Sequence, residues 1–137
     1  MNDAAGPSAV LDASALLAFM REETGADRVE AMIGHGALVS AVNWAEVLAR
    51  IVVSGGDPHE IVAMALAGGA ATRLELIPFD AAQARETARM MPYTRGLGLS
   101  LADRAALALA ATRRLRVLTA DRAWRSLRLP IKIEVIR

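Results

Sequence analysis

The chain has 137 residues, 54% hydrophobic, 23% charged and only 4% aromatic, enough for one compact domain with a core built from Ala, Val, Leu, Ile and Met. It contains no cysteine, which excludes disulfides and thiolate metal sites. The formal net charge of +1 conceals a split: residues 1–84 carry four Arg against eleven acids, whereas residues 85–137 carry eleven Arg and one Lys against four acids, a balance of −7 followed by +8.

Apolar runs alternate with helical periodicities, the pattern of an α/β fold with a mainly parallel sheet. The first strand is expected at Ala9–Leu11, with residues 1–7 ahead of it loose. The start of the chain shows no basic segment followed by an apolar one, and no apolar run approaches the ~20 residues of a membrane helix, so a soluble cytoplasmic domain is expected. Helices are expected over 14–22 and 25–33, and "ALVS" at 37–40 is a second strand. Ser40 opens a helix over 41–53 whose apolar stripe is Trp44, Val47, Leu48 and Ile51. After "GGDP", Pro58 begins a helix through Ala67. A third strand spans 74–79, and Asp80 caps a helix through Met91. "YTRGLGLS" reads as a loop, followed by a helix over 101–114, a fourth strand at 116–119, a short helix and a fifth strand at 131–135. Without repeats or linkers, residues 1–137 form a single domain of about five strands.

Aspartates stand where strands end. Asp12 follows the first strand, and as a helix cap it contributes ~1 kcal/mol. Its place also suits a ligand site, because open parallel sheets bind ligands beyond the carboxyl ends of their strands. Asp121 follows the fourth strand with the same ambiguity, and Thr119 adds an oxygen that a cap does not require. Asp103, three residues after Ser100, completes a capping box. Glu46 falls with Asn43 and Arg50 on the side of its helix away from the apolar stripe, which reads as solvated surface. His35 and His59 are isolated and lack zinc-site spacing, and Gly96 and Gly98 form no phosphate loop.

Taken together, "AVLDASALLAF", "VSAVNWAEVLAR", "LIPFDAAQA", "GLSLADRAALALA" and "VLTADRAW" resemble the PIN-domain ribonucleases, in particular the VapC-like toxins of toxin–antitoxin pairs. The resemblance implies a sheet in the order 3-2-1-4-5 with Asp12 and Asp121 facing one another across the switch point. It implies a catalytic, metal-binding quartet of Asp12, Glu46, Asp103 and Asp121, supported by Ser14, Thr119 and Asn43. All-oxygen ligands suit Mg²⁺ or Mn²⁺, which activate water for attack on a phosphodiester. The implied activity is endonucleolytic cleavage of tRNA, rRNA or mRNA, leaving a 3′-hydroxyl. Arginine grips phosphate as a planar fork, and Arg104, Arg122 and Arg125 are the residues expected to meet RNA.

The resemblance also implies a VapB-like antitoxin. Leu16, Leu17, Phe19 and Met20 wrap round more than one face of a short helix, and "IVAMALAGGA" at 61–70 is almost without charge. A homodimer through the middle helices is therefore expected, with a groove near Phe19 for an apolar antitoxin helix. Two other readings compete: a phosphoryl-transfer domain of another α/β class, and a catalytically silent PIN-like module that binds RNA. Against the first, Ser14 stands where a dehalogenase-like phosphatase has its second Asp, and the only lysine, Lys132, lies inside the last strand. Against the second, all four acids are present.

Overall fold

A computed structural model describes residues 6–60, 63 and 73–137. Five short parallel strands, β1 (Ala9–Leu11), β2 (Ala37–Ser40), β3 (Leu74–Ile77), β4 (Arg116–Thr119) and β5 (Ile133–Val135), form one sheet in the order β3-β2-β1-β4-β5. This is the order implied by the resemblance. The connecting helices are α1 (Ala13–Met20), α2 (Ala26–His35), α3 (Ala41–Val53), α4 (Ala81–Arg89), α5 (Met91–Thr94) and α6 (Leu101–Arg113). A 3-10 helix over Arg122–Ser126 links β4 to β5.

The central strands β2, β1 and β4 are largely buried on both faces because helices cover both. Ala9, Leu11, Val39 and Leu118 pack with Leu16, Val29, Ile33 and Val47 of α1, α2 and α3. Their alternates Val10, Leu38 and Val117 face α6 and the fully buried Trp124. Register does the rest: Val10 lies beside Val117 and Leu11 beside Leu118, so the next residues, Asp12 and Thr119, leave the sheet side by side.

Most boundaries lie within two residues of the sequence reading, β3 for instance ending at Ile77 rather than 79, and two regions differ in kind or extent. The segment "YTRGLGLS" is partly helical, because the Thr94 hydroxyl donates to the Met90 carbonyl at 2.9 Å and a 3-10 turn over Arg95–Leu97 follows. Its helical character ends at Gly98, which takes φ +62. Strand β5 starts only at Ile133, three residues beyond Pro130, which has no N–H for the ladder. Of the helix expected from Pro58 to Ala67, residues 58–60 and 63 are helical, and the rest lies outside the described residues, as does most of the uncharged stretch 61–70. Residues 1–5 of the expected loose start also lie outside them. Among the described residues no helix is long and apolar enough to cross a membrane.

Strand β5 is fastened to the rest through Glu134, which accepts from Arg28 Nη2 at 2.9 Å and Arg116 Nη1 at 3.2 Å. Bonding to Arg28 holds the Glu134 carboxyl below its ordinary range. Gly25 caps α2 with φ +97, and a Cβ there would meet Ile136 at 2.8 Å. Only glycine permits that approach, which carries the last residues of the chain alongside the α1–α2 turn. There Arg137 Nη1 meets Glu23 Oε1 at 3.0 Å.

Candidate functional site

A cleft of ≈ 260 Å³ opens above the carboxyl ends of β1 and β4 and is bordered by Asp12, Glu46, Asp103 and Asp121. Each arrives by a different route. Asp12 ends β1 and caps α1, accepting from Ala15 N at 2.8 Å. Asp103 lies in the first turn of α6, its Oδ2 accepting from Ser100 N at 2.9 Å while its own N–H donates to Ser100 Oγ at 3.1 Å. Asp121 follows β4 and accepts from Ala123 N at 2.9 Å, and buried Trp124 anchors the turn behind it. The capping reading holds for each of these aspartates, and the bonds that start each helix also leave its carboxylate at the border of one cleft.

Asp12 is the buried member, 2% exposed. Thr119 Oγ1 donates to its Oδ2 at 2.6 Å, and Ser14 Oγ lies 2.8 and 3.0 Å from its two oxygens. The hydroxyls are themselves fed by backbone N–H groups, Asp121 N to Thr119 Oγ1 at 3.1 Å and Ala120 N to Ser14 Oγ at 2.9 Å. Burial pushes the Asp12 carboxyl up to about 6, against the downward pull of bonds from Thr119, Ala15 and Ser14; the neighbouring Asp103 adds to the rise.

Glu46 corrects the helical-wheel reading. It is half-buried and faces the cleft, and Asn43 one turn earlier is fully buried. Asn43 Nδ2 donates to the Ala102 carbonyl at 3.0 Å, tying the helix that carries Glu46 to the helix that carries Asp103. An apolar stripe marks only the face turned to the hydrophobic core; α3 has a second buried face against the start of α6.

The family model of the PIN domain matches residues 9–129. The chain belongs to the PIN-domain family. No curated protein matches it in sequence. Among solved structures this PIN domain is similar to VapBC-5, a member of the VapBC family of toxin–antitoxin systems, from Mycobacterium tuberculosis, with 27% identity, a TM-score of 0.60 and coverage of 96% of this chain and 98% of that one. It is similar to DNA-bound VapBC from Salmonella typhimurium, with 20% identity, a TM-score of 0.68 and coverage of 95% and 98%. It is also similar to the Mycobacterium tuberculosis toxin VapC20, described as sarcin-ricin loop cleaving, with 12% identity, a TM-score of 0.67 and coverage of 88% and 97%. The last two likenesses, at such identities, establish the fold alone.

The arginines of the PIN-domain cleft are not those expected from sequence. Arg104 is turned away, its Nη1 donating to the Leu99 carbonyl at 2.7 Å. Arg122 Nε donates to the Arg137 carbonyl at 3.1 Å, and Arg125 is exposed; none of these three lines the cleft. Arg21, Arg50 and Arg137 do. They arrive from the end of α1, from one turn beyond Glu46 and from the last residue, a convergence that spacing along the chain does not reveal.

Among the described residues, no three His, Asp or Glu side chains are gathered closely enough to share an ion in their capping positions. The donor chemistry nonetheless fits a hard divalent cation. Four carboxylates border one cleft, and no hydrogen bond among the described residues engages Asp103 Oδ1, Asp121 Oδ2 or the Glu46 carboxylate. A carboxylate buried as Asp12 is requires neutralisation to remain charged.

Proposed function

We propose that this PIN domain is a VapC-like toxin, a divalent-metal-dependent endoribonuclease restrained by a cognate antitoxin. The observation that carries the reading is the convergence of Asp12, Glu46, Asp103 and Asp121 from four separate elements on one cleft. Asp12, Asp103, Asp121 and Glu46 would hold Mg²⁺ or Mn²⁺. The chemistry such an ion supplies when bound is polarisation of a phosphodiester and activation of water for attack, with a 3′-hydroxyl as one product.

The chain's own groups divide the remaining work. Thr119 and Ser14 fix the orientation of the Asp12 carboxylate and favour its charged form. Asn43 holds Glu46 and Asp103 at a fixed separation. Arg21 and Arg50, which also border the cleft, would grip RNA phosphates there and offset its negative charge.

Restraint by an antitoxin is supported by a groove of ≈ 870 Å³ beside Phe19 and Met20, whose border includes Glu22, Glu23, Asp27 and Glu30. It fits an apolar segment with basic flanks. Glu23 borders both groove and cleft, so such a segment has a continuous path to the carboxylates, where an Arg or Lys would exclude metal and RNA together. Self-association is supported by the exposure of Val52 and Val53 at the end of α3 and of Tyr93 and Leu101 further along. Incubation of purified tRNA and rRNA with wild type and Asp12→Asn, with mapping of new 5′ ends, tests the nuclease. Light scattering with and without the product of the adjacent upstream gene tests the partner.

A further inference from the structure

Of the twelve cations in residues 85–137, only Arg137 borders the cleft. Of the four acids in that segment, Asp103 and Asp121 border the cleft, Glu86 pairs with Arg89 at 3.6 Å, and Glu134 is engaged by Arg28 and Arg116. Three of the other cations, Arg114, Arg116 and Lys132, gather at the opposite end of the sheet, Arg116 being the one that also meets Glu134. A pocket of ≈ 340 Å³ lies there, at the amino ends of β4 and β5, with Arg114, Arg116 and Lys132 in its wall and no acidic residue lining it. The three cations come from three elements: the end of α6, the first residue of β4 and the approach to β5.

Favourable charge at a helix carboxyl end explains one arginine here, not three converging cations. The end of α6 is also already satisfied, because Leu115 N donates to the Ala110 carbonyl at 3.0 Å and Arg114 N to the Ala111 carbonyl at 3.3 Å. Arg114 and Lys132 are exposed and belong to none of the ion pairs among the described residues. Arg114 moreover occupies the left-handed region, φ 57 and ψ 45, a helix-terminating position that favours glycine. The chain keeps a cation where glycine would be less strained.

We infer that this pocket is a second phosphate-binding site, which holds the backbone of a folded RNA at a distance from the cleft. From Arg116 to Asp121 the chain runs about 16 Å along β4 and just past it, so the two sites face opposite ends of the sheet. A ligand that engages both must present phosphates on surfaces far apart, as a folded RNA does. The inference rests on the ribonuclease reading.

The test is fluorescence anisotropy with labelled tRNA in EDTA, so that nothing is cleaved, at low and moderate salt. Arg114→Gly removes a cation while relieving backbone strain, so its Tm should equal or exceed that of wild type. R114G/K132Q should lose roughly ten-fold in affinity and show a shallower salt dependence, by about one to two in the log–log slope. The control R85Q/R95Q, matched in net charge and altered at exposed positions, should lose much less. Wild-type affinity for R114G/K132Q, or an equal loss in R85Q/R95Q, overturns the second site and leaves the ribonuclease reading intact. Failure of wild type to bind tRNA at low salt also overturns the second site, while the ribonuclease reading stands or falls on metal-dependent cleavage. An equal loss on duplex DNA of the same length marks the pocket as indifferent to RNA and overturns the assignment.

Discussion

Thr119 Oγ1 lies 2.6 Å from Asp12 Oδ2, joining the ends of two neighbouring parallel strands. Of the bonds that lower the Asp12 pKa, this one has the largest effect, opposing a burial that lifts the carboxyl to about 6. Thr119→Val removes it while keeping the volume. The Asp12 pKa should then rise further, and the acid limb of the cleavage rate should move to higher pH. Stability at pH 7.5 should fall by about 2 kcal/mol, the scale of a hydrogen bond to a charged group. Thr119→Ser should restore both. A pH–rate profile for the three proteins reads this directly.

The same shift makes stability depend on pH in the sense opposite to most aspartates. A carboxyl whose pKa is raised from 3.8 to about 6 on folding binds its proton more tightly in the folded state. Its contribution is fully present below pH 3.8 and lost as pH rises to about 6, a difference of about 3 kcal/mol. Without metal, Asp12→Asn should therefore be more stable than wild type at pH 7.5, by about 2 kcal/mol, and should lack this loss between pH 4 and 6. Mn²⁺ should raise the Tm of wild type and leave that of Asp12→Asn nearly unchanged. Thermal melts across pH, with and without Mn²⁺, check all three outcomes.

Asn43 makes its bond to the Ala102 carbonyl in a fully buried place. Asn43→Ala should cost about 1 to 3 kcal/mol in urea unfolding. Because the bond sets α3 against α6, the turnover rate should fall more than the RNA affinity. Equal losses in both would make Asn43 a binding residue instead.

Arg21 and Arg50 face the carboxylates, whereas Arg125 does not. Arg21→Ala and Arg50→Ala should each raise KM for RNA roughly three- to ten-fold and flatten its salt dependence. Arg125→Ala should leave both close to wild type. The reverse pattern would return the RNA path to the arginines favoured by sequence.

The strands β1, β2 and β4 were legible in the sequence because each is a short apolar run ended by a capping oxygen, from Asp12, Ser40 and Thr119 with Asp121. Asp12 and Asp121 were legible for the same reason, since a residue that ends a strand and starts a helix announces its place at the carboxyl edge, whereas Asp103 was legible as the acid of a capping box. Glu46 and Asn43 were not, since one apolar stripe does not show that a helix has a second buried face. Glu46 was singled out only through its match to the family's motif. Arg137 was invisible because its place depends on the close approach of Ile136 to Gly25, a contact between distant parts of the chain.

The central claim is metal-dependent cleavage by carboxylates that double as helix caps, and Asp103→Asn tests it most directly. Purified tRNA and rRNA should be cut at mapped sites by wild type in Mg²⁺ or Mn²⁺ and left whole in EDTA. Asp103→Asn keeps one side-chain oxygen for the bond from Ser100 N, so it should melt near the wild-type temperature yet lose most cleavage. Undiminished cleavage by Asp103→Asn, or by wild type in EDTA, would contradict the account.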